Sequence, residues 1–143
     1  MVDVSPPASE QFLGLFGRLS KFALGQNPLQ DSGVTVPQLA LLDRVAALPG
    51  CHVREIADGL GLTAPTVSVA IRRLEKAGML ERQADPKDKR AVQIVLTREG
   101  QALHERAWAF RLEKMRQLLS GLTPEETAQL LALLEKAIDG AQV

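Results

Sequence analysis

The chain is poor in the residue types that build disulfide frameworks, metal centres and redox sites. Its 143 residues include one cysteine, two histidines, one tryptophan and no tyrosine. Because Cys51 is alone, an internal disulfide is excluded, and neither histidine joins it in a cluster with metal-ligand spacing. We therefore expect no metal and no cofactor, and we interpret Cys51 as a small buried hydrophobic residue.

Net charge and long apolar runs are absent as well. Lysine and arginine total 17, as do aspartate and glutamate, so any attraction to nucleic acid must come from local clusters of charge. No run of about 18 uncharged apolar residues occurs, and the N-terminus has no basic segment followed by an apolar one. A composition of 45% apolar and 24% charged residues is that of an ordinary globular protein, which we expect to be cytoplasmic and without a membrane partner.

The common motifs of catalytic sites are also missing. The sequence has no glycine-rich phosphate loop, no nucleophile elbow and no pair of carboxylates in an apolar setting. Its two histidines are far apart in the chain. These absences predict that the protein is not an enzyme.

Helical patterns occupy both ends of the chain. From Ser9 onward, apolar residues recur at intervals of three and four, which predicts an amphipathic helix after a flexible tail of eight residues. Thr35 with Gln38 predicts the capping box of a second helix. A long helix is expected after the hairpin described below, and Thr123 with Glu126 predicts the capping box of a final one. The buried side of the second helix is predicted to consist of Leu39, Leu42, Val45, Ala46 and Leu48.

Residues 53–78 predict a helix-turn-helix. The first helix is short, with a break at Gly59 and Gly61. Thr63 can cap the second helix, which has Pro65 in its first turn and extends to Gly78. Two helices joined by a turn of a few residues make up this motif. The residues predicted to face inward are Val53, Ile56, Ala57 and Leu60 in the first helix, and Val67, Ala70, Ile71 and Leu74 in the second.

The outer face of the second helix is basic, since Arg72 and Lys76 point outward and Arg73 lies on a flank. In a DNA-binding helix-turn-helix this helix lies in the major groove, where small and polar residues approach base edges and arginines reach guanine or phosphates. An ordinary solvated helix face can carry the same charges, so the helix alone leaves both interpretations open. The candidate DNA contacts are Thr63, Ala64, Pro65, Thr66, Ser68, Val69, Arg72, Arg73 and Lys76.

The following segment predicts a β-hairpin with a charged tip. Strands are expected over 79–83 and 90–96, joined by a turn that starts at Asp85. A hairpin directly after a helix-turn-helix makes a winged helix, and residues 63–90 carry an excess of three positive charges within a neutral chain. This excess favours DNA binding over a merely solubilising tip. Arg90 could enter a minor groove, while Asp85 or Asp88 could hold the loop by an ion pair. The wing candidates are Lys87, Asp88, Lys89 and Arg90.

Residues 34–100 resemble the MarR family of bacterial transcription regulators. The resemblance runs from Thr35, Gln38 and Leu42 through IADGLGLTAPTVSVAIRRLEKAGML to DPKDKRAVQIVLTREG. The last run is the most specific. Family members carry an acidic residue, a basic residue two positions later, and an apolar strand that ends in Leu-Thr with a glycine three residues on. In this chain those positions are Asp88, Arg90, Leu96, Thr97 and Gly100.

The resemblance implies a fold and a function. The fold would be mainly α with a small β-hairpin wing, which is a winged helix-turn-helix flanked by N- and C-terminal dimerisation helices. Its parts would be a flexible tail over 1–8, a dimerisation helix and loop over 9–34, the DNA-binding domain over 35–99 and the dimerisation helices over 100–143. The implied function is repression of transcription by a homodimer bound to double-stranded DNA at a palindromic operator, relieved by a small-molecule effector.

Two further sets of residues are candidates for a ligand pocket and for a dimer interface. Ligands of the family, often aromatic anions, lodge between the dimerisation helices and the winged helix, which implies a pocket near Phe16, Leu19, Leu42, Trp108 and Arg111. The helices outside the winged helix carry more apolar surface than that small domain needs, which independently favours a dimer. Each of these residues could instead belong to the core of one chain. The dimer candidates are Phe12, Phe16, Leu119, Leu122, Leu130, Leu134 and Ile138.

Two alternatives remain open at this point. A constitutive or architectural DNA binder without ligand control would share every feature described above. An adaptor that uses its winged helix for protein association would instead show an apolar or acidic outer helix face and a neutral wing. The cations Arg72, Lys76 and Arg90 argue against the adaptor.

Overall fold

A computed structural model describes residues 6–24 and 31–141 of the chain. Within them, six α-helices and one two-stranded antiparallel hairpin confirm the predicted fold, mainly α with a β-hairpin wing. None of the helices in these ranges is long and apolar enough to span a membrane. In chain order the elements are α1 (Pro6–Leu24), α2 (Val36–Ala47), α3 (Val53–Leu60), α4 (Ala64–Lys76), β1 (Leu80–Ala84), β2 (Val92–Leu96), α5 (Arg98–Leu119) and α6 (Pro124–Ala141).

The described residues divide into two compact units. The central unit comprises residues 31–109, and the terminal unit comprises 6–24 together with 110–141. The central unit therefore contains α2, α3, α4 and the hairpin, as well as the first half of α5. The terminal unit contains α1, the second half of α5 and α6.

A single hydrophobic core fills the central unit. Helices α2, α3, α4 and α5 contribute to it, together with Leu80 of β1 and Ile94 of β2. The predicted buried side of α2 needs two corrections. Leu41 is buried because the apolar stripe of α2 is wider than one residue per turn, whereas Leu48 is 37% exposed because it lies beyond the last helical turn. The core residues are Val34, Leu39, Leu41, Leu42, Val45, Cys51, Ile56, Ala57, Val67, Ile71, Leu74, Leu80, Ile94, Leu103 and Ala107.

Local capping explains why several helices begin where the sequence predicts. The Thr35 hydroxyl accepts a hydrogen bond from the Gln38 amide at 3.3 Å, and the Gln38 side chain accepts one from the Thr35 amide at 3.0 Å. The same reciprocal pair joins Thr123 and Glu126 at the start of α6. Each box satisfies two amides that have no partner inside the helix.

Two helix boundaries differ from the prediction. Helix α1 begins at Pro6, so residues 6–8 of the predicted tail are helical and the remainder lies outside the described residues; proline is tolerated in a first turn because its missing amide is not needed there. Helix α3 continues through Gly59, where the guanidinium of Arg44 occupies the space that a Cβ atom would take. Its end is at Gly61, which has a left-handed φ of 66°.

The hairpin is short and has a continuous register, in which Leu80 pairs with Leu96 and Ala84 with Val92. Strand β2 begins at Val92, two residues later than predicted, because the Ala91 amide bonds to the Asp88 carbonyl in a turn. On its other edge, β2 receives an isolated bridge from Cys51, whose carbonyl accepts a hydrogen bond from the Ile94 amide at 2.8 Å. The wing is thereby tied to the segment that precedes α3.

Candidate nucleic-acid interface

Helix α4 presents a polar and basic face to solvent. Its inward residues Val67, Ile71 and Leu74 are each at most 1% exposed and anchor the helix on the core. A helix held in this way turns its remaining residues outward at the 3.6-residue period. Pro65, Val69, Arg72 and Lys76 are exposed, as their predicted outward positions require. Thr66 and Arg73 are exposed as well, while Ala64 and Ser68 are half-buried.

The first turn of α4 is fixed by threonines. The Thr63 hydroxyl accepts a hydrogen bond from the Thr66 amide at 3.4 Å, and the two hydroxyl oxygens lie 2.8 Å apart. Both residues are exposed, so the end of α4 that would face base edges is capped and accessible.

The wing loop is organised by carboxylates that accept hydrogen bonds from backbone amides. Asp85 accepts one from the Lys87 amide at 2.8 Å, and Asp88 accepts one from the Arg90 amide at 3.0 Å. The sequence predicted ion pairs here, but within the described ranges no carboxylate forms an ion pair with Arg90. Lys87, Asp88, Lys89 and Arg90 are all exposed, as a loop that contacts DNA requires.

One cation of the basic segment has a structural role. The Arg82 Nε atom donates a hydrogen bond to Glu75 Oε1 at 2.7 Å, which joins β1 to the last turn of α4. This pair cancels one charge of each sign in the segment. The cations that face solvent on α4 and the wing are Arg72, Arg73, Lys76, Lys87, Lys89 and Arg90.

The Leu-Thr and glycine of the family motif stabilise the junction between the wing and α5. The Thr97 hydroxyl donates to the Gly78 carbonyl at 2.5 Å and accepts from the Gly100 amide at 3.1 Å. At Gly100 a Cβ atom would overlap the carbonyl oxygen of Met79, so only glycine fits. These residues hold the hairpin against the helices and do not face solvent as contacts.

Sequence analysis missed a contact between His52 and the wing. The His52 Nε2 atom lies 3.0 Å from Asp85 Oδ2, although the two residues are 33 positions apart. Asp85 is only 9% exposed, and its pKa is lowered from its ordinary value, chiefly by the hydrogen bond from the Lys87 amide and further by His52. The sequence near His52 and near Asp85 does not predict this contact, because neither residue type is unusual at its position.

His104 and Cys51 pack within the central unit. His104 Nδ1 lies 2.8 Å from Asp43 Oδ1, and the His104 ring packs beside Trp108 with a centroid distance of 6.1 Å. Cys51 is 3% exposed, and burial raises the pKa of its thiol, which agrees with the predicted role as a small buried residue. Among the residues that the structure describes, no group of three potential ligands could hold a metal ion.

The five predicted ligand-binding residues have different surroundings. In the terminal unit, Phe16 and Leu19 line an apolar groove of about 440 Å³, and Arg111 is half-buried. In the central unit, Trp108 is 50% exposed but Leu42 is fully buried, so a ligand could contact Leu42 only if the core opened. The complete lining of the groove is Phe12, Leu15, Phe16, Arg18, Leu19, Phe22 and Leu118.

Comparisons with known proteins agree on one family. The sequence profile of the MarR family matches residues 32–91. The chain is 31% identical over 126 residues to the uncharacterised HTH-type transcriptional regulator YkoM of Bacillus subtilis, a match that spans 86% of this chain and 81% of that protein.

Solved structures share the fold over almost the whole chain. The DNA complex of MepR from Staphylococcus aureus superimposes with a TM-score of 0.76 at 29% identity, covering 94% of this chain and 96% of that one. The regulator PcaV of Streptomyces coelicolor, solved with its natural ligand, has a TM-score of 0.66 at 25% identity, covering 99% and 100%. The chain therefore belongs to the MarR family and is a winged-helix transcriptional regulator, not an enzyme.

Proposed function

We propose that the protein is a homodimeric repressor that binds an inverted-repeat operator and is released from it by a small aromatic ligand. The observation that carries this proposal is the group of exposed cations on α4 and the wing, collected in one unit of a chain with no net charge. Such a local excess binds phosphates, whereas the rest of the chain has three more acidic than basic residues and adds no attraction to DNA.

Helix α4 supplies the base contacts in this proposal. A recognition helix enters the major groove with its N-terminal residues nearest the bases. Thr66 and Ser68 can form hydrogen bonds with base edges, and the exposed Val69 can contact a thymine methyl group. Arg72 lies one turn further along, where it can reach guanine or the DNA backbone.

The wing supplies contacts outside the major groove. Arg90 follows a turn closed by Asp88, so its exposed side chain leaves the loop from a fixed backbone. A guanidinium is attracted to the negative potential of a narrow minor groove. Lys87 and Lys89 flank it and can neutralise phosphates.

Apolar side chains of the terminal unit support a dimer. Phe12 and Phe16 in α1 are 60% and 57% exposed, and Leu131 and Ile138 in α6 are 54% and 55% exposed. Packing these side chains against a second copy would remove their apolar surface from water. A two-fold axis would set the two α4 helices about 34–36 Å apart, one helical turn of DNA.

The groove in the terminal unit supports the effector part of the proposal. Its lining is apolar except for Arg18, which can pair with the carboxylate or phenolate of an aromatic ligand. Nearby in the same unit, the Lys114 ammonium lies 4.8 Å from the centre of the Phe22 ring. We expect a ligand here to contact Phe16 and Leu19, and a ligand-free regulator remains the alternative.

Selection of bound duplexes from a random pool tests the DNA-binding proposal. We expect an inverted repeat whose affinity falls steeply with salt concentration, followed by a loss of about tenfold or more in Arg90→Ala and a smaller salt dependence. Arg72→Ala should also relax preference at one base of each half-site. The exposed Arg106 of α5 offers a matched control, since Arg106→Ala should bind like the parent.

The outcome separates the alternatives. If no sequence is enriched and the weak binding disappears at physiological salt, the protein is either an adaptor or is held in a state that cannot bind DNA, and the proposed operator binding is wrong for the protein as purified. If an operator is found, a thermal-shift screen of aromatic acids decides whether a ligand binds, because a ligand of the folded state raises the apparent melting temperature. A hit should lose its effect in Arg18→Ala and should lower operator affinity in the parent.

A further inference from the structure

The start of the wing loop is joined to the segment before α3 by one side-chain contact. His52 immediately precedes α3, and Asp85 immediately follows β1. The His52 Nε2 atom lies 3.0 Å from Asp85 Oδ2. The Asp85 side chain is 11% exposed and that of His52 is 41% exposed, so the contact is shielded on the carboxylate side.

The hydrogen bond has a defined direction. The pKa of Asp85 is lowered, first by the hydrogen bond from the Lys87 amide, so its carboxyl group is ionised at neutral pH and can only accept. His52 must therefore donate through Nε2. Its other ring nitrogen, Nδ1, lies 3.6 Å from Glu55 Oε1, the same oxygen that accepts a hydrogen bond from the His52 amide.

Asp85 bonds to two other positions of the loop and to His52. One carboxylate oxygen contacts His52, the other accepts the Lys87 amide, and its own amide donates to the Ala91 carbonyl at 3.2 Å. The backbone bond between Cys51 and Ile94 fixes the middle of β2 to the same segment. That bond does not reach the loop, so the His52 contact is the side-chain link that extends this attachment to residues 85–91.

We propose that His52 is a positioning residue for DNA binding, which holds the wing loop in the orientation that presents Arg90 to the minor groove. The inference rests on the proposed function of the wing. Residues 85–90 of the loop contain three cations, Lys87, Lys89 and Arg90. A loop that is not held in place must lose conformational entropy when it binds DNA. His52 does not need to contact DNA for this role.

A set of four variants tests the proposal by operator affinity. His52→Ala should weaken binding about fivefold, and His52→Gln, whose amide can still donate to Asp85, should restore most of it. Glu55→Ala is the matched control, because it removes the other partner of His52 and the acceptor at the start of α3 while leaving Asp85 in place. It should change affinity less than about twofold. In an Arg90→Ala background, His52→Ala should have no further effect.

Three results would overturn the proposal. If Glu55→Ala weakens binding as much as His52→Ala, then His52 acts by starting α3 and not through the wing. If His52→Ala remains harmful in the Arg90→Ala background, or is harmless in the parent, the wing is not the route of its effect.

Amide hydrogen exchange of the free protein keeps this inference separate from the proposed function. In His52→Ala we expect the amides of Lys87 and Ala91 to exchange faster than in the parent, with no change for the core amide of Ile71. Unchanged exchange at the loop would contradict the proposal even if operator affinity fell. If the parent bound no duplex, the proposed function would fail, while these exchange rates would still decide whether His52 holds the loop.

Discussion

The central and terminal units differ in where their apolar side chains lie. Every buried hydrophobic side chain of the described residues belongs to the central unit, from Val34 to Ala107. In the terminal unit none of residues 7–23 and 110–141 is buried, although α1 is rich in leucine and phenylalanine and α6 is rich in leucine. Twelve of the eighteen large hydrophobic residues that are exposed in the described ranges lie there.

This difference indicates that the two units are stabilised differently, the central one by packing within the chain and the terminal one by packing against another chain. The central unit encloses its own core, so one chain contains all the contacts that hold α4 and the wing in place. In the terminal unit α6 begins with a capping box, but the described residues form no core of their own, so most of the helical stability must come from packing that a single chain does not provide. We propose that a second copy of the chain packs against these exposed apolar side chains.

The largest expected effect comes from placing a charge on the proposed dimer surface. Leu134 of α6 is 37% exposed in the single chain, and Leu134→Glu would bury an unpaired carboxylate in the dimer. We expect the dimer dissociation constant to rise about 30-fold or more, with a matching loss of operator affinity. Sedimentation equilibrium measures the first quantity and anisotropy the second.

Gln129→Glu is the control for that experiment, because it adds the same charge to the same helix at an exposed polar position. It should leave the dimer intact. A Leu134→Glu protein that remained fully dimeric would show that α6 does not form the interface.

Alanine substitutions at two glycines, one in each unit, should differ in their effect on the free energy of unfolding. Gly100 is buried against the Met79 carbonyl, whereas nothing lies within 4 Å of a Cβ atom built on Gly140. Gly100→Ala should lower the free energy of unfolding by about 2–3 kcal/mol, because the junction of wing and α5 must shift. Gly140→Ala should change it by less than about 1 kcal/mol, with a gain in helix propensity.

Urea unfolding at one fixed protein concentration measures both free energies, since the stability of a dimer depends on concentration. Equal effects of the two substitutions would contradict the close approach at Gly100.

The smallest expected effect concerns pH. Because the folded-state pKa of Asp85 is below its ordinary value of about 3.9, the ionised carboxylate stabilises the folded state above that value. This contribution is lost as pH falls through the lower, folded-state pKa. The difference in unfolding free energy between the parent and Asp85→Asn should therefore shrink on going from about pH 5 to pH 2. A difference that grew with acid would contradict the sign.

Contacts between residues close in sequence explain why much of the fold was predictable. The boundaries of α2, α4 and α6 depend on Thr35, Thr63 and Thr123, each of which bonds to a residue three positions later. The period of apolar residues likewise predicted which face of α4 would be exposed. The caps are complete within one turn and the apolar period within one helix, so neither signal depends on the rest of the chain.

Contacts between distant residues explain what was missed. The sequence predicted a break at Gly59, but α3 continues through it, and the guanidinium of Arg44 from α2 lies where a Cβ atom of residue 59 would be. The Thr97 hydroxyl bonds to Gly78, which is 19 positions away, and His52 contacts Asp85 at a separation of 33. Such pairs form because helices and strands pack against one another, and no pattern in the sequence predicts them.

The most direct test of the account is the molar mass of the protein alone and of its complex with a selected duplex, measured by sedimentation equilibrium. We expect two chains of 15.5 kDa in both, at micromolar concentration, with one dimer bound per inverted repeat. A protein that stayed monomeric at every concentration and bound a single half-site with undiminished affinity would contradict it, because the terminal helices would then need no second copy.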